Sequence, residues 1–221
     1  MTASPPLDPE GPLGARLSLI VITDDDFAGE RGVEAVVSEA LAAGAPCIQL
    51  RRKDGDTGDT LRLALRLREL TAARGALFIV NDRVDIALAS GADGVHLGPH
   101  DLPIARVRSV VPPDFIVGYS TDDPQVARGA EAEGASYLGC GTVWPTGTKP
   151  DAGSAIGTAG LASVAAAVSI PVVGIGGISV ARAPLLRATG AVGAAVVGAV
   201  MAAGDPGLAT QRLLEGLAGT D

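Results

Sequence analysis

The chain has 221 residues, of which 47% are hydrophobic, and this length suits one domain built around a single core. Its formal net charge of −8 excludes the broad basic surface that nucleic acids and anionic membranes require, since no basic cluster is longer than residues 51–53. Two cysteines, Cys47 and Cys140, exclude a disulfide scaffold, and no apolar run reaches the roughly 18 residues of a membrane-spanning helix. We therefore expect a cytoplasmic protein whose cysteines pack as small hydrophobic residues. The oligomeric state stays open, with a homodimer as one option.

Residues 1–16 are rich in proline and glycine, and we expect them to form a flexible tail. Beyond them, eight apolar runs typical of strands alternate with eight helical patterns. The predicted strands are 17–22, 47–50, 77–80, 94–97, 115–118, 136–139, 171–175 and 193–197. The predicted helices are 32–43, 59–73, 84–89, 103–110, 124–133, 160–168, 180–188 and 208–217. Four Gly-Ala pairs before strands predict helix ends with tight turns, at 44–45, 91–92, 134–135 and 190–191.

Strands made of Val, Ile and Leu and flanked by helices indicate a parallel sheet that is buried on both faces. Eight such units in a domain of this length predict an α/β fold, a single-domain (β/α)8 TIM barrel over residues 17–221. An open doubly wound sheet is the alternative, although no G-x-G-x-x-G sequence follows the first strand. In a barrel, chemistry lies at the carboxyl ends of the strands, so the polar residues there are the candidates for a site.

The second strand ends in three polar residues that share one side. By the two-residue period of a strand, Gln49, Arg51 and Lys53 point into the barrel mouth, while Leu50 and Arg52 point outward. A glutamine and two cations on an inner face are costly unless an anion binds them. Ion pairs with neighbouring carboxylates are the alternative.

Two carboxylates follow the next two strands. Asp82 comes after Asn81 at the end of the third strand, and Asp101 follows the fourth. Such a pair suits Mg²⁺, which takes one or two carboxylates together with substrate phosphates. Helix capping competes with this interpretation, and from the residue types alone it is the better one at both positions. Ser120 ends the fifth strand with a hydroxyl, and neither histidine of the chain is assigned as a general base.

The loop after the sixth strand has the composition of an anion-binding segment. Thr146, the amide of Gly147 and Thr148 offer hydrogen-bond donors, and Lys149 offers a charge. Lysine is rare here, since only two of the 17 basic residues are lysines, although chance placement in loops is the alternative. The Gly-Ile-Gly-Gly run at 174–177 and the Val-Gly pair at 197–198 predict a phosphate cup made of backbone amides.

These motifs together resemble the thiamine-phosphate synthase family, and the resemblance covers about residues 17–218. Five motifs occur in the family's order, namely Gln49-x-Arg51-x-Lys53, Asn81-Asp82-Arg83-Val84-Asp85, Gly94-Val95-His96-Leu97-Gly98 with Asp101, Pro145-Thr146-Gly147-Thr148-Lys149 and Gly174-Ile175-Gly176-Gly177-Ile178.

The resemblance implies transfer of a hydroxymethylpyrimidine from its diphosphate to a thiazole phosphate, giving thiamine phosphate and pyrophosphate. It implies Mg²⁺ on Asp82 and Asp101, against the capping interpretation, and catalytic charges on Arg51, Lys53 and Lys149. The residues implied to bind the pyrimidine diphosphate are Gln49, Leu50, Arg51, Arg52, Lys53, Asn81, Ser120 and Lys149. Those implied to bind the thiazole phosphate are Thr146, Gly147, Thr148, Gly177, Val197 and Gly198.

The chain departs from the usual family pattern at three places, with Pro99-His100 ahead of Asp101, Arg52 where Glu is frequent, and Gly198 where Ser is typical. Two rival functions remain. The family's thiazole tautomerase relatives usually carry a catalytic histidine just after strand five, whereas here residues 121–123 are Thr, Asp and Asp, and neither histidine is expected nearby. A non-catalytic, phosphate-sensing barrel is the other rival, because a fold does not fix a function.

Overall fold

The structure, a computed structural model, describes residues 12–147 and 154–218. Its eight strands pair in parallel and in chain order, and the last pairs with the first, so the sheet closes into a barrel. The predicted (β/α)8 TIM barrel is confirmed. The strands are β1 (Leu19–Ile22), β2 (Cys47–Leu50), β3 (Leu77–Asn81), β4 (Gly94–Leu97), β5 (Ile116–Ser120), β6 (Tyr137–Cys140), β7 (Val172–Ile175) and β8 (Gly193–Val196).

Helices surround the barrel and cover one of its ends. They are α1 (Leu13–Arg16), α2 (Asp25–Ala28), α3 (Val33–Ala42), α4 (Thr57–Ala72), α5 (Val84–Ser90), α6 (Ile104–Arg108), α7 (Pro124–Ala132), α8 (Gly157–Ala165), α9 (Gly198–Met201) and α10 (Pro206–Ala218). Two 3₁₀ helices span Gly29–Arg31 and Ala183–Thr189. The glycines of all four Gly-Ala pairs have positive φ, as helix ends of this kind require.

The helix predicted at 180–188 is wrong in type and in its first residues. The structure has a 3₁₀ helix at Ala183–Thr189, in which the N–H of Leu185 donates to the carbonyl of Arg182 at 3.0 Å. Pro184 has no N–H to donate, which removes one bond of the α-helical pattern from this turn. Gly190 ends the helix in the left-handed conformation, with a φ of 78°.

Alternation along the strands supplies two cores. Inward residues such as Ile20 and Ile79 fill the lower part of the barrel, while outward residues such as Val21 and Phe78 pack beneath the helices. Both cysteines are buried and form no disulfide, as expected, and burial raises the pKa of the Cys140 thiol to about 12. Among the described helices, none has the length and apolar character needed to cross a membrane.

The helix α1 lies inside the segment that the sequence predicts as a flexible tail. Its Leu13 packs against the inner core beside Leu17, which is fully buried, and Gly14 approaches Val192 just before β8. The helix therefore covers the amino-terminal end of the barrel, and the folded chain begins ahead of the predicted boundary at residue 17. Residues 1–11 lie outside the described part of the chain.

Candidate active site

The carboxyl ends of the strands surround a cavity of about 580 Å³. Its wall includes predicted site residues from β2, β3 and β5 and from the segments that follow β6, β7 and β8, so one cavity brings together both halves of the predicted site. The predicted residues that line it are Gln49, Arg51, Asn81, Ser120, Thr146, Gly177, Val197 and Gly198.

The other predicted residues within the described ranges do not line this cavity. Leu50 is buried beneath the helices and Arg52 pairs with Asp25 at 3.1 Å, so both point outward as the strand period predicts. The remaining residues of this group within the described ranges are Lys53, Asp82, Asp101 and Gly147. Thr148 and Lys149 lie outside the described residues, and their predicted roles stay predictions.

Arg51 is held in place from the end of β1. Its backbone N–H donates to the hydroxyl oxygen of Thr23 at 3.0 Å, and its guanidinium pairs with Asp24 at 3.3 Å. Asp24 also accepts a hydrogen bond from the N–H of Phe27, which caps α2. Asp24 therefore fixes the cation that follows β2, so the predicted alternative of an ion pair with a neighbouring carboxylate is confirmed for Arg51, and the structure identifies its partner.

A buried hydrogen-bonded chain crosses the floor of the cavity. The imidazole of His96 on β4 lies with its Nδ1 2.8 Å from the hydroxyl oxygen of Tyr137 and its Nε2 2.8 Å from Ser120 Oγ. The Tyr137 hydroxyl also hydrogen-bonds the side chain of Gln49, which is only 3% exposed. Side chains from β2, β4, β5 and β6 thus link two predicted pyrimidine-site residues, Gln49 and Ser120, through a tyrosine and a histidine.

Burial sets the charge state of this chain. It lowers the pKa of His96 to about 4, so the imidazole is neutral near pH 7, and it raises the pKa of Tyr137 well above its usual value. Glycines make the space, because a Cβ at Gly118 would come within 2.3 Å of the Tyr137 ring and one at Gly139 within 3.1 Å of His96. Both histidine hydrogen bonds therefore depend on two small residues in β5 and β6.

The expectation that neither histidine lies near the end of strand five is wrong for His96, which contacts Ser120 directly. The two-residue period of the strand could have predicted this position. Val95 and Leu97 point outward beneath the helices, so His96 between them points into the barrel. His100, by contrast, is exposed. The sequence analysis also did not identify Tyr137, because its contacts with His96 and Gln49 cross between strands and cannot be read along the chain.

The two carboxylates after β3 and β4 contact each other and do not cap helices. The side chains of Asp82 and Asp101 share a hydrogen bond, and the helix after each begins without a side-chain cap. Burial, followed by the bond to Asp101 and its charge, raises the pKa of Asp82 to about 6, although Lys53 and Arg51 act in the opposite direction. The capping interpretation is therefore wrong for α5 and α6.

The backbone around this pair is specialised. Asp82 has a φ of 61°, which non-glycine residues rarely adopt, and its N–H donates to the carbonyl of His96 at 2.8 Å. One carboxylate oxygen of Asp101 accepts the N–H of Gly98 at 2.6 Å. The strained turn at residue 82 directs one carboxylate toward the other, an arrangement that is unfavourable for two negative charges unless a proton or a cation lies between them.

The donor set at this pair fits a hard divalent cation in part. Two carboxylates at hydrogen-bonding distance match the protein share of a Mg²⁺ site, in which substrate phosphates and water supply the other ligands. Within residues 12–147 and 154–218, no three His, Cys, Asp or Glu side chains gather into a metal site.

The opposite wall of the cavity is made largely of backbone. Gly177 has a φ of 63°, and a Cβ there would come within 2.6 Å of the carbonyl oxygen of Trp144. The N–H of Trp144 donates to the carbonyl of Gly176 at 3.1 Å, so the segment after β6 lies directly on the turn after β7. Gly198 is the first residue of α9, the short helix after β8, and it lines the cavity without a side chain.

The fold and the cavity define a (β/α)8 enzyme with cations on one side of its mouth and glycine-rich backbone on the other. A family model described as thiamine monophosphate synthase matches residues 19–200. The thiamine-phosphate synthase of Moorella thermoacetica is 47% identical over 197 residues, covering 89% of this chain and 94% of the relative. That of Desulfitobacterium hafniense (strain DCB-2) is 42% identical over 198 residues, covering 90% and 96%.

A solved structure supports the same assignment. The thiamine phosphate pyrophosphorylase from Pyrococcus furiosus superposes with a TM-score of 0.87 at 43% identity, covering 94% of this chain and 98% of that one. The chain therefore belongs to the thiamine monophosphate synthase family, as the resemblance of its motifs implied.

Proposed function

We propose that this chain condenses a hydroxymethylpyrimidine diphosphate with a thiazole phosphate to give thiamine phosphate and pyrophosphate, assisted by Mg²⁺. Its family makes it a transferase of thiamine biosynthesis. The observation that carries the substrate assignment is that a single cavity joins the cationic end of β2 to the backbone cup after β7 and β8. Two phosphorylated substrates can therefore meet in it.

The diphosphate end of the first substrate suits the cations of the mouth. Arg51 lines the cavity, while Lys53 is exposed but close enough to Asp82 to lower its pKa. We assign these two residues and Lys149 to neutralising the leaving pyrophosphate, the main requirement when the bond that breaks releases an anion. The side chains of Leu50 and Arg52 point away from the cavity, Leu50 into the core beneath the helices and Arg52 toward Asp25, so we assign only their backbone groups to binding the diphosphate.

The pyrimidine ring suits the polar groups deeper in the cavity. Gln49 and Ser120 offer an amide and a hydroxyl whose orientations are fixed by Tyr137 and His96, and Asn81 offers a second amide. Fixed donors and acceptors lose little freedom when the ring binds, so they orient its reactive carbon at low cost.

The carboxylates Asp82 and Asp101 would hold Mg²⁺ against the diphosphate. The cation supplies charge neutralisation for the departing phosphates. Its positive charge would also oppose the repulsion between these two carboxylates, and so would lower the pKa of Asp82 from its raised value of about 6.

The thiazole phosphate suits the backbone cup, which Thr146 lines on one side and Gly177, Val197 and Gly198 line on the other. We assign Gly147 and Thr148, the next two residues of the chain, to the same phosphate. The bond from the pyrimidine methylene carbon to the diphosphate oxygen breaks, and its electron pair leaves with pyrophosphate. The electron-rich aminopyrimidine stabilises the resulting cation, and the thiazole nitrogen forms the new C–N bond with its own lone pair. No proton moves in these steps, so no general base is needed. The buried, neutral His96 is consistent with this scheme.

The test is pyrophosphate release by the purified protein with both substrates, each substrate alone, and both substrates without Mg²⁺. We expect release only when both substrates and the metal are present, together with formation of thiamine phosphate. Release from the pyrimidine diphosphate alone would indicate a hydrolase and contradict the proposal. Isomerisation of a thiazole carboxylate phosphate without pyrophosphate release would instead support the tautomerase alternative. Binding of thiazole phosphate without any turnover would support a phosphate sensor.

A further inference from the structure

We propose that Arg182 is a positioning residue for the phosphate cup, holding the segment after β6 and the turn after β7 in register for the thiazole phosphate. The inference rests on the proposed function, because it assigns the cup to that substrate. Arg182 does not line the cavity and acts through two residues that it contacts, Gly177 and Trp144.

The two segments meet at a junction that tolerates little movement. Gly177 is in the left-handed conformation, and the carbonyl oxygens of Trp144 and Pro145 lie 2.6 and 2.8 Å from the position of its missing Cβ. Two backbone hydrogen bonds join the segments here, from Val143 to Ile175 at 2.8 Å and from Trp144 to Gly176 at 3.1 Å. Thr146 lines the cavity two residues after Trp144, so a displacement of the junction also displaces a predicted phosphate ligand.

Arg182 bridges the junction from the start of the 3₁₀ helix. Its Nη1 donates to the carbonyl oxygen of Gly177 at 2.7 Å, and its guanidinium carbon lies 5.4 Å from the centre of the Trp144 ring. One planar cation therefore contacts both sides of the junction, by a charge-assisted hydrogen bond on one side and a cation–π contact on the other. The carbonyl held by Arg182 belongs to the peptide group between Gly177 and Ile178, so this contact fixes one peptide plane at the wall of the cavity.

The charge of Arg182 is not used elsewhere. Within the ranges 12–147 and 154–218, no carboxylate forms an ion pair with it, although seven such pairs occur there. Its positive charge therefore lies beside the predicted phosphate cup without a carboxylate partner among the described residues. The charge adds to the attraction for phosphate without touching it.

Trp144 makes the inference measurable, because it is the single tryptophan of the chain. Its emission spectrum and its quenching by acrylamide report the junction directly, with or without turnover. The variants are Arg182→Gln, which removes the cation, and Arg182→Lys, which keeps a cation and one donor but not the planar fork. Arg187→Gln is the matched control, since Arg187 lies on the same 3₁₀ helix and also donates to a backbone carbonyl, that of Pro184 at 3.2 Å.

We expect Arg182→Gln to raise KM for the thiazole phosphate roughly tenfold, as the loss of one charged hydrogen bond and one cation–π contact implies, while KM for the pyrimidine diphosphate stays within about twofold. Trp144 should become more accessible to acrylamide before any substrate is added. In Arg182→Lys, KM for the thiazole phosphate should lie between the values of Arg182→Gln and the parent. Arg187→Gln should match the parent protein both in this KM and in the accessibility of Trp144.

Equal KM values for the thiazole phosphate in Arg182→Gln and the parent would overturn the inference, as would an equal rise for both substrates. Should Arg182→Gln fail to fold, the same split of KM values in Arg182→Lys decides the question. A parent protein that releases no pyrophosphate would refute the proposed function instead. In that case, a fluorescence titration of Trp144 with thiazole phosphate still tests Arg182, and an unchanged Kd in the variants would contradict its role.

Discussion

His96 Nε2 lies 2.8 Å from Ser120 Oγ, although 24 residues separate the two along the chain. The contact joins β4 to β5 at the floor of the cavity, and the other ring nitrogen bonds to Tyr137 on β6. Whichever nitrogen carries the proton, the Ser120 hydroxyl has one partner fixed by the protein and keeps its remaining capacity for a ligand. The buried histidine thus serves the site as a neutral hydrogen-bonding group.

Replacement of His96 by Gln should reduce the dependence of stability on pH. Burial lowers the folded pKa from 6.5 to about 4, so the unfolded chain binds more protons than the folded one between these values. Stability from this group is therefore complete above pH 6.5 and is lost as the pH falls toward 4. From pH 7 to pH 5 the loss attributable to His96 amounts to about 2 kcal/mol. Urea unfolding of both proteins at the two pH values measures it.

The comparison with His96→Gln is needed because Asp82 acts in the opposite sense. Its folded pKa is raised to about 6, so its contribution to stability increases as the pH falls from 6 toward 4. The parent protein alone would show a sum of the two effects. An equal pH dependence in parent and variant would show that His96 is not held neutral. The experiment is done without Mg²⁺, which would otherwise bind to the carboxylates.

Replacement of Asp82 by Asn should remove most of the turnover, by on the order of 100-fold, because it takes away one of two carboxylates for the cation. Binding of Mn²⁺ to the protein with pyrophosphate, measured by electron paramagnetic resonance, provides a readout besides activity and should weaken. Asp85→Asn is the matched control, since Asp85 lies three residues further on and pairs with Arg83 on the surface. Unchanged Mn²⁺ binding in Asp82→Asn would refute the metal assignment.

Replacement of Lys149 by Ala should lower kcat by roughly 100-fold to 1000-fold, because it removes a charge assigned to the departing pyrophosphate. The thermal unfolding midpoint should stay close to that of the parent, since the proposed role is chemical. Arg62→Ala, which removes an exposed cation paired with Asp59 on α4, should leave both properties unchanged. A Lys149→Ala enzyme with the parent's kcat would exclude Lys149 from the mechanism.

Replacement of Gly177 by Ala should destabilise the protein by at least about 2 kcal/mol and abolish binding of the thiazole phosphate, because the left-handed conformation and the nearby carbonyls oppose a Cβ. Gly129→Ala is the matched control, for which we expect a change in stability of the opposite sign. Gly129 lies inside α7 with nothing within 4 Å of an added Cβ, so alanine should stabilise the helix by about 0.5–1 kcal/mol. Chemical denaturation of both variants measures the contrast, and equal effects would contradict the cup geometry.

Much of the barrel could be predicted from the sequence because its signals are local. Alternation placed Gln49 and Arg51 inward and Leu50 and Arg52 outward, and the order of apolar runs gave the number of strands in the barrel. The 3₁₀ helix was harder to predict, because Pro184 disturbs the hydrogen bonds of a turn whose apolar pattern still fits an α-helix.

The parts that could not be predicted depend on contacts across strands. The His96–Ser120 bond and the Asp24–Arg51 pair each join residues more than twenty positions apart. The residue types alone also favoured capping by Asp82, and the structure shows why that failed: its left-handed backbone turns the carboxylate toward Asp101. Their positions after adjacent strands left that pairing open, and the resemblance of the motifs to a family favoured it over capping.

In the proposed reaction, the ion pair between Arg51 and Asp24 means that the diphosphate does not meet a bare cation. Binding exchanges one anionic partner of the guanidinium for another, so the free energy gained at Arg51 is the difference between two ion pairs and is smaller than either. The same exchange runs in reverse when pyrophosphate leaves, because Asp24 is already in place to take back the guanidinium. A carboxylate on the first loop of the barrel thereby limits how tightly the enzyme retains its own product.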